Sequence, residues 1–269
     1  LMDTGRYHYV HGEARTWFKS ALGHNVPLID GRDYLKCRDA WGVDQMSAAY
    51  FGGYKKKDGY RYIQGSHGGY LNGEEGNVWI TRKVLAIDTD LYLIADEFFS
   101  REKHTYQQLY HFNNQGKVTR SGCTVRYSGI GTDGELTVLT QGCGMKLSDG
   151  RISRNYNQME TGKQLLAGKE ADGFSSIITV VSGGEKKNYK SPELSLLPVF
   201  GADPSVPLDP SDAEAVSIGW KGKNYVVILA HRDIGDSTDL LSAGGVKGLG
   251  TVIVFDTEKL KVGGTVLHW

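Results

Sequence analysis

The dominant pattern along the chain is an alternation of apolar and polar residues, interrupted by glycine, asparagine and aspartate. A period of two is typical of β-strands, because successive side chains of a strand point to opposite faces of its sheet. The alternation recurs from end to end, and no window of eleven or more residues has a glycine-free helical period. We therefore predict an all-β protein with little helix.

The alternating segments predict the positions of the strands. They lie at about Asn25 to Ile29, Gln45 to Tyr50, Gly59 to Gln64, Val78 to Ile87, Leu91 to Phe98, Thr105 to Phe112, Val118 to Tyr127, Leu136 to Thr140, Ser175 to Val181, Ala215 to Trp220, Tyr225 to Leu229, Thr251 to Asp256, and Thr265 to Trp269. Two large antiparallel sheets packed face to face can bury the inner faces of so many strands. The expected fold is a large β-sandwich; the alternative, a β-propeller, requires a repeat of roughly 40 to 50 residues that the sequence lacks.

One proline-rich segment divides this pattern. All but one of the six prolines lie between Asn188 and Asp212, together with several serines. This composition predicts a long loop or a seam between two sub-structures. We therefore assign residues 1–269 to one β-sandwich domain with a sub-structure boundary at residues 188–212.

Composition and charge exclude several classes of partner. The chain has 269 residues, with 31 basic and 31 acidic side chains, and 39% of its residues are hydrophobic. The balanced charge argues against nucleic acid as a partner, and no apolar run approaches the roughly 20 residues of a membrane span. The sequence contains no signal peptide, and its start at Leu1 suggests that it begins inside a longer polypeptide.

Candidate chemistry is concentrated in the first 70 residues. Asp3 and His24 are a carboxylate and an imidazole, which are ligand types that Zn²⁺ accepts, but their spacing alone does not select them. His8 and His11 alternate as residues of a strand do, so a metal bound by that pair is not expected. His67 lies in the glycine-rich run at residues 65–70, which we interpret as a turn whose side chains reach into a cleft.

Several sequence blocks occur in fixed order: Asp3, Gly5 and Tyr7; Arg15 with Trp17 to Ser20; His24, Asn25, Asp30 and Gly31; His67 to Tyr70; Arg82 to Leu85; Leu91 to Glu97; and His104 with His111 and Phe112. As an ordered set they resemble the opening of the C-terminal β-sandwich of heparinase II/III-like polysaccharide lyases. The resemblance covers roughly the first 115 residues and fades afterwards. It implies an enzyme that cleaves uronate-containing polysaccharides by β-elimination, in which a base removes the proton beside the uronate carboxylate and an acid protonates the leaving oxygen.

The resemblance also implies how the work is divided within such an enzyme. The catalytic residues belong to an N-terminal helical toroid domain upstream of Leu1, so none is assigned here and the isolated chain is expected to be inactive. Asp3 and His24 match two metal ligands of the family, with a third ligand outside this chain and Zn²⁺ in a structural role. Tyr7, Arg15 and His67 are the candidates for the substrate-binding wall.

The expected partners follow from the same resemblance. They are an acidic polysaccharide or oligosaccharide and the N-terminal helical domain, and the expected location is periplasmic or secreted. The alternative function is that of a carbohydrate-binding or structural β-sandwich without chemistry of its own. That function requires exposed aromatic rings, for which Tyr50, Tyr54, Tyr60 and Trp220 are available.

Overall fold

A computed structural model describes residues 1–71, 77–231 and 240–269. It confirms the predicted all-β sandwich with little helix: the described residues form one short helix, α1 (Glu13–Lys19), a single 3₁₀ turn (Ala21–Gly23), and a series of antiparallel strands. The strands are β1 (Pro27–Ile29), β2 (Ala49–Lys57), β3 (Tyr60–Tyr70), β4 (Val78–Asp88), β5 (Leu91–Phe99), β6 (Lys103–Phe112), β7 (Lys117–Ser121), β8 (Thr124–Ser128), β9 (Thr132–Val138), β10 (Gly144–Ile152), β11 (Glu160–Asp172), β12 (Ser175–Glu185), β13 (Glu193–Leu197), β14 (Ala213–Trp220), β15 (Lys223–Ala230), β16 (Leu241–Ala243), β17 (Val246–Gly248), β18 (Val252–Asp256) and β19 (Thr265–His268).

The strands form three stacked sheets. The central sheet has eight strands in the order β2-β3-β4-β5-β12-β9-β8-β7. A four-stranded sheet, β1-β6-β11-β10, covers one of its faces, and a five-stranded sheet, β13-β14-β15-β18-β19, covers the other. The β16-β17 hairpin contributes to a third apolar cluster, which it shares with the five-stranded sheet.

Alternation along the central strands explains how one sheet supplies two cores. In β5, Leu91 and Leu93 pack toward the five-stranded sheet, whereas Ile94 and Phe98 pack toward the four-stranded sheet. Because both faces are covered, most side chains of β5 are buried. Full burial of one such leucine contributes roughly 1.5 to 3 kcal/mol, so the two cores together supply much of the folding free energy.

Several strands differ from the predicted ones. β10 and β11 were not predicted, because glycine and charged residues interrupt their alternation and most of their side chains are at least partly exposed. The predicted strand at Val118 to Tyr127 is divided into β7 and β8 by a turn at Gly122, which has a positive φ. β13 lies inside the segment at residues 188–212, where it pairs with β14; a boundary between sub-structures in that segment stays a prediction.

Candidate functional site

Asp3 and His24 are in direct contact. Nδ1 of His24 lies 2.7 Å from Oδ2 of Asp3, and Oδ1 of Asp3 accepts a hydrogen bond from the backbone N–H of Gly5 at 2.9 Å. The His24 side chain is 38% exposed and the Asp3 side chain 60% exposed, so an ion can reach them from solvent. The structure therefore brings the two predicted ligands together at one accessible point.

Asn25 fixes the position of this pair. Its Nδ2 donates to the backbone oxygen of Met2 at 2.9 Å, and its Oδ1 accepts from the backbone N–H of His111 at 2.7 Å. The backbone oxygen of Asn25 accepts a third bond, from Nη1 of Arg82 at 2.6 Å. These bonds tie the residues beside Asp3 and His24 to β6 and to the central sheet.

A buried ion pair lies beneath Asn25. Nε and Nη2 of Arg82 donate to the two carboxylate oxygens of Asp96, each at 2.6 Å, and Asp96 has no exposed surface. Gln108 also donates to Asp96, at 2.8 Å. Two parallel charge-assisted bonds fix the orientation of a guanidinium group. Arg82 is therefore a fixed structural support beneath the site, a role that no sequence pattern predicts.

His111 is a second group that the sequence analysis left out of the site. Burial lowers its pKa to about 4, and the charge of His24 acts in the same direction, so its imidazole is neutral at neutral pH. Its Nε2 is buried without a hydrogen-bond partner. His111 lies near the end of β6, and its proximity to His24 depends on how β6 packs against the N-terminal segment. No local sequence pattern therefore predicts it.

His67 does not lie on a turn, contrary to the sequence analysis. It belongs to β3, where its ring packs against Tyr34 and Tyr70, at centroid distances of 5.0 and 6.1 Å. Burial lowers its pKa, and it forms no contact with Asp3 or His24. The strand passes through Gly68 and Gly69 with a register shift, and a Cβ at Gly69 would lie 2.7 Å from the Tyr34 ring. Glycine here permits close packing rather than a turn.

The other two predicted wall residues lie on the N-terminal segment and α1. The ring of Tyr7 is half-buried and stacks on Phe18, with centroids 6.5 Å apart. Nε of Arg15 donates to the backbone oxygen of Ala40 at 3.1 Å, and its guanidinium lies over the rings of Tyr9 and Trp41. Their role in substrate binding stays a prediction.

The aromatic residues considered for the alternative function fall into two groups. Tyr50 and Tyr54 are exposed on β2, with 55% and 57% of their surface accessible. Tyr60 and Trp220 are buried in the core between the central and the five-stranded sheets, so neither ring can stack on a sugar. The alternation in the sequence does not distinguish the exposed tyrosines of β2 from the buried rings of Tyr60 and Trp220.

The donor set at Asp3 and His24 fits a zinc ion only in part. A carboxylate and an imidazole in contact are suitable ligands, and structural zinc sites are almost always four-coordinate. Within residues 1–71, 77–231 and 240–269, no group of three or more His, Cys, Asp or Glu side chains is placed to hold a metal. A metal held by this pair therefore needs further ligands from outside the described residues.

A sizeable cleft among the described residues lies elsewhere. It has a volume of about 710 Å³ and is lined by residues that include Leu1, Phe112, Tyr127 and Asp133. None of the predicted metal-binding or substrate-binding residues lines it. The candidate site is instead an open surface around the N-terminal segment.

The family of the chain is decided by a match over most of its length. Residues 1–220 match the family model described as Heparinase II/III-like, C-terminal. The chain belongs to the heparinase II/III-like C-terminal family. The match extends well beyond the first 115 or so residues, over which the sequence blocks show the resemblance. No curated protein matches the chain significantly by sequence.

Solved structures support the fold of this heparinase II/III-like domain. Heparan sulfate lyase HepC from Pedobacter heparinus superposes on 86% of the chain with a TM-score of 0.66 at 14% identity. A heparinase III gene product covers 86% of the chain with a TM-score of 0.65 at 16% identity, and another heparinase III covers 86% with 0.64 at 14%. The chain corresponds to 34%, 34% and 33% of these proteins, so it spans about a third of their length. No helix within the described ranges has the length and apolar character needed to cross a bilayer.

Proposed function

We propose that this β-sandwich is part of a polysaccharide lyase that cleaves uronate-containing polysaccharide by β-elimination. Membership of the heparinase II/III-like C-terminal family is the observation that carries the proposal. In this role the chain supplies two ligands of a metal site and one wall of the substrate cleft. The acid and base of the reaction come from outside the chain, from an N-terminal helical domain.

The contact between Asp3 and His24 supports the proposed metal site. These side chains would hold Zn²⁺ together with a third ligand from outside the chain. Bound zinc supplies a fixed cross-link there, a structural role that needs no activated water. Asn25 holds the protein side of the site in place, because it ties Met2 to His111 through its amide.

An acidic polysaccharide is the proposed substrate class. One similar structure is named as a heparan sulfate lyase, which makes heparan sulfate one of the uronate polysaccharides to test. Guanidinium groups bind carboxylates through paired charge-assisted bonds, and Arg15 lies between the two residues of the metal-binding pair in sequence. Tyr7 and Arg15 are the wall residues that the N-terminal segment and α1 present, whereas the half-buried ring of His67 lies on β3.

Product formation tests the lyase function. The intact polypeptide that contains this chain is incubated with heparan sulfate, polygalacturonate and alginate, and the ultraviolet absorbance of an unsaturated product is followed. We expect an increase with at least one substrate and none with this chain alone. Absence of a signal across a broad uronate panel argues against lyase function, and elimination by the isolated chain contradicts the placement of the acid and base outside it.

Elemental analysis tests the metal site separately. We expect stoichiometric zinc in the intact protein and its loss in the Asp3→Asn and His24→Ala variants. His11→Ala is the matched control, because His11 is exposed on the same N-terminal segment and has no role in the proposed site. Zinc retained by both site variants, or absent from the intact protein, contradicts the assignment.

A carbohydrate-binding module without chemistry is the second candidate. The exposed rings of Tyr50, Phe51 and Tyr54 on β2 favour it, since sugar faces pack on aromatic rings. Binding of uronate oligosaccharides by the intact protein without any elimination product identifies this function. The periplasmic or secreted location stays a prediction of the family resemblance, which fractionation of the source cells tests.

A further inference from the structure

Two aromatic rings form an exposed stack near the candidate metal site. The ring of Tyr9 stacks on the indole of Trp41, with centroids 5.0 Å apart and planes inclined by 11°. Trp41 is 69% exposed, so much of its surface is open to solvent. Tyr156 flanks the stack, with its ring centroid 6.1 Å from that of Tyr9, and is itself 62% exposed. Exposed aromatic rings that are grouped in one patch, unlike single exposed rings, are typical of a binding surface.

The loop that carries Trp41 is held firmly. Oδ1 of Asp39 accepts hydrogen bonds from the backbone N–H groups of Trp41 and Gly42, at 2.8 and 2.6 Å. Nζ of Lys19 donates to the backbone oxygen of Gly42 at 2.9 Å, and Nε of Arg15 donates to that of Ala40 at 3.1 Å. Side chains of α1 therefore anchor both sides of Trp41. Its indole is presented in one orientation before any ligand arrives, which lowers the entropy cost of binding.

Two arginines lie over the same rings. The guanidinium carbon of Arg6 lies 5.1 Å from the centroid of Tyr9, and that of Arg15 lies 5.4 Å from Tyr9 and 5.6 Å from Trp41. Neither forms a salt bridge with an acidic side chain in the part of the chain that the structure describes. Arg151, by contrast, lies over Trp17 and is paired with Glu13 at 2.7 Å. Arg6 and Arg15 thus add positive charge that the protein does not neutralise.

We propose that Arg6, Tyr9, Arg15 and Trp41, here named the Tyr9–Trp41 platform, bind a negatively charged sugar residue of a polysaccharide. The C–H groups on the face of a sugar ring carry slight positive charge, so they pack on the negative face of an aromatic ring. A carboxylate or sulfate at the edge of the same sugar accepts charge-assisted bonds from the guanidinium groups. The proposal rests on the proposed function, of which it names a subsite.

The position of the platform suits a polysaccharide that also reaches the metal-binding pair. Arg6 follows Asp3 by three residues, so their Cα atoms are at most about 10 Å apart even in a fully extended chain. Ser153 holds the backbone of this segment in place. Gly5 forms a bridge to Ser153, and the hydroxyl of Ser153 donates to the backbone oxygen of Arg6. A chain that passes the platform therefore passes close to Asp3.

Single-stranded nucleic acid is the other polymer that combines stacking with negative charge. The formal net charge of zero disfavours it, since nucleic-acid binding draws most of its affinity from an excess of basic groups. The platform moreover offers only two unpaired guanidinium groups. An acidic sugar, which carries its carboxylate or sulfate at the edge of the ring that stacks, fits this arrangement better.

Binding measurements with surface variants test the platform. The intact protein is titrated by calorimetry with heparan sulfate, polygalacturonate and alginate oligosaccharides, with an uncharged cello-oligosaccharide, and with a single-stranded oligonucleotide. For the uronate that binds, we expect Trp41→Ala and Arg6→Gln each to raise Kd about tenfold, because the first removes the aromatic face on which the sugar packs and the second removes a hydrogen bond to a charged group. Trp41→Phe keeps an aromatic face and should stay near wild type. Added salt should weaken wild type more than Arg6→Gln.

Two exposed residues far from the platform provide matched controls. Trp269 is 75% exposed at the last position of the chain, and Arg61 is exposed on β3, so Trp269→Ala and Arg61→Gln should leave Kd unchanged. All four substituted positions are exposed, so every variant should fold as wild type does.

The outcomes separate this proposal from the lyase function. If elimination proceeds while Trp41→Ala and Arg6→Gln leave Kd and KM unchanged, the platform is overturned and the lyase function stands. If binding shows the expected losses without elimination, the platform stands and the lyase function fails. The platform is also overturned if no uronate binds, or if the oligonucleotide binds more tightly than any uronate and is weakened by the same variants.

Discussion

Neighbouring charged residues on β4 point to opposite cores. Arg82 faces the four-stranded sheet and pairs with Asp96, whereas Lys83 faces the five-stranded sheet and pairs with Glu97. Lys83 also donates to the backbone oxygen of Ala230 at 3.2 Å. Buried charges cost several kcal/mol of desolvation unless their partners are well placed. Removal of either member of a pair would therefore leave its partner as an unpaired buried charge and destabilise the fold.

Removal of one member of the Arg82–Asp96 pair should be strongly destabilising. Arg82→Met leaves a fully buried carboxylate with Gln108 as its remaining side-chain donor, so we expect a loss of about 3 to 5 kcal/mol in the free energy of unfolding. Urea titration followed by circular dichroism measures it. Lys103→Ala, which breaks the exposed ion pair with Glu170, is the control and should leave the urea midpoint nearly unchanged. Equal effects of the two changes would contradict the structural role of Arg82.

Two carboxylates enclose His231 between the central and five-stranded sheets. Its Nδ1 lies 2.6 Å from Oε1 of Glu97, and its Nε2 lies 2.9 Å from Oε2 of Glu214. Only an imidazolium can donate both bonds. Burial by itself lowers the pKa of His231, but hydrogen bonds and charges from Glu214 and Glu97 outweigh it, so the pKa is raised. For Glu97, burial likewise opposes ionisation, but His231 and Lys83 outweigh it and lower the pKa.

These shifts predict how stability depends on pH. A raised histidine pKa contributes stability that is complete below the ordinary value of 6.5 and is lost as pH rises through the folded-state pKa. A lowered glutamate pKa contributes stability that is complete above the ordinary value of 4.5 and is lost as pH falls through the folded-state pKa. The combined contribution is therefore greatest between pH 4.5 and 6.5.

The variant His231→Gln isolates the histidine part. The difference in unfolding free energy between wild type and this variant should be greatest between pH 4.5 and 6.5 and should shrink as pH rises above 6.5, through the folded-state pKa of His231. Urea titrations at several pH values measure it, with His11→Ala as a control whose difference from wild type lacks this decline. A difference between wild type and His231→Gln that is constant across this range contradicts an imidazolium in the folded protein.

At the scale of strands and turns, alternation predicted the central elements well. Strands such as β4, β5 and β15 begin and end within two residues of their predicted limits, because apolar residues recur along their length and turn residues flank them. The pattern failed for β10 and β11, where one face is largely solvent-exposed, and at His67, where glycines lie within a strand. Glycine is common both in turns and where strands pack closely, and the sequence does not distinguish these two uses.

A β-bridge between Gly5 and Ser153 joins the N-terminal segment to the residue that follows β10. Gly5 has a φ of +79°, and a Cβ there would lie 2.2 Å from the backbone oxygen of Ser153. Its N–H also donates to Asp3. The bridge therefore requires glycine both for its backbone conformation and for this close approach.

Gly5→Ala should consequently destabilise the fold and displace Asp3. We expect a loss of about 2 to 4 kcal/mol in unfolding free energy, which adds overpacking to the cost of the left-handed conformation. Gly122→Ala is the matched control, because Gly122 has a φ of +56° with no atom within 4 Å, so it bears the conformational cost alone. Urea titration of both variants measures the difference, and equal losses would contradict the contact with Ser153.

At the scale of the whole molecule, the central sheet belongs to two cores at once. Leu93 lies in the core shared with the five-stranded sheet, and Phe98 of the same strand lies in the core shared with the four-stranded sheet. The predicted β-sandwich is confirmed, but the sequence indicated two stacked sheets and the structure has three. The contact between Asp3 and His24 followed only from the family resemblance. Contacts between residues distant in sequence leave no periodic signal that a single chain reveals.

A shared sheet predicts cooperative unfolding. Loss of either core exposes one face of the central sheet, so we expect one transition in urea, with coincident midpoints by far-ultraviolet circular dichroism and tryptophan fluorescence. Trp220 reports on the core with the five-stranded sheet, and Trp17, near β6, reports on the other side of the molecule. Two separate transitions would instead establish the boundary at residues 188–212 as a division between independent units.

The charges at Arg82 and Lys83 bear finally on the fidelity of folding. A sheet covered on both faces offers β4 two similar apolar environments, so hydrophobicity alone tolerates a pairing error of one residue. Such a slip exchanges the faces of every side chain on the strand. It would carry Arg82 and Lys83 into the wrong cores, away from Asp96 and Glu97, at a cost of several kcal/mol for each unpaired charge. The two ion pairs thus mark the correct pairing of β4 with β5.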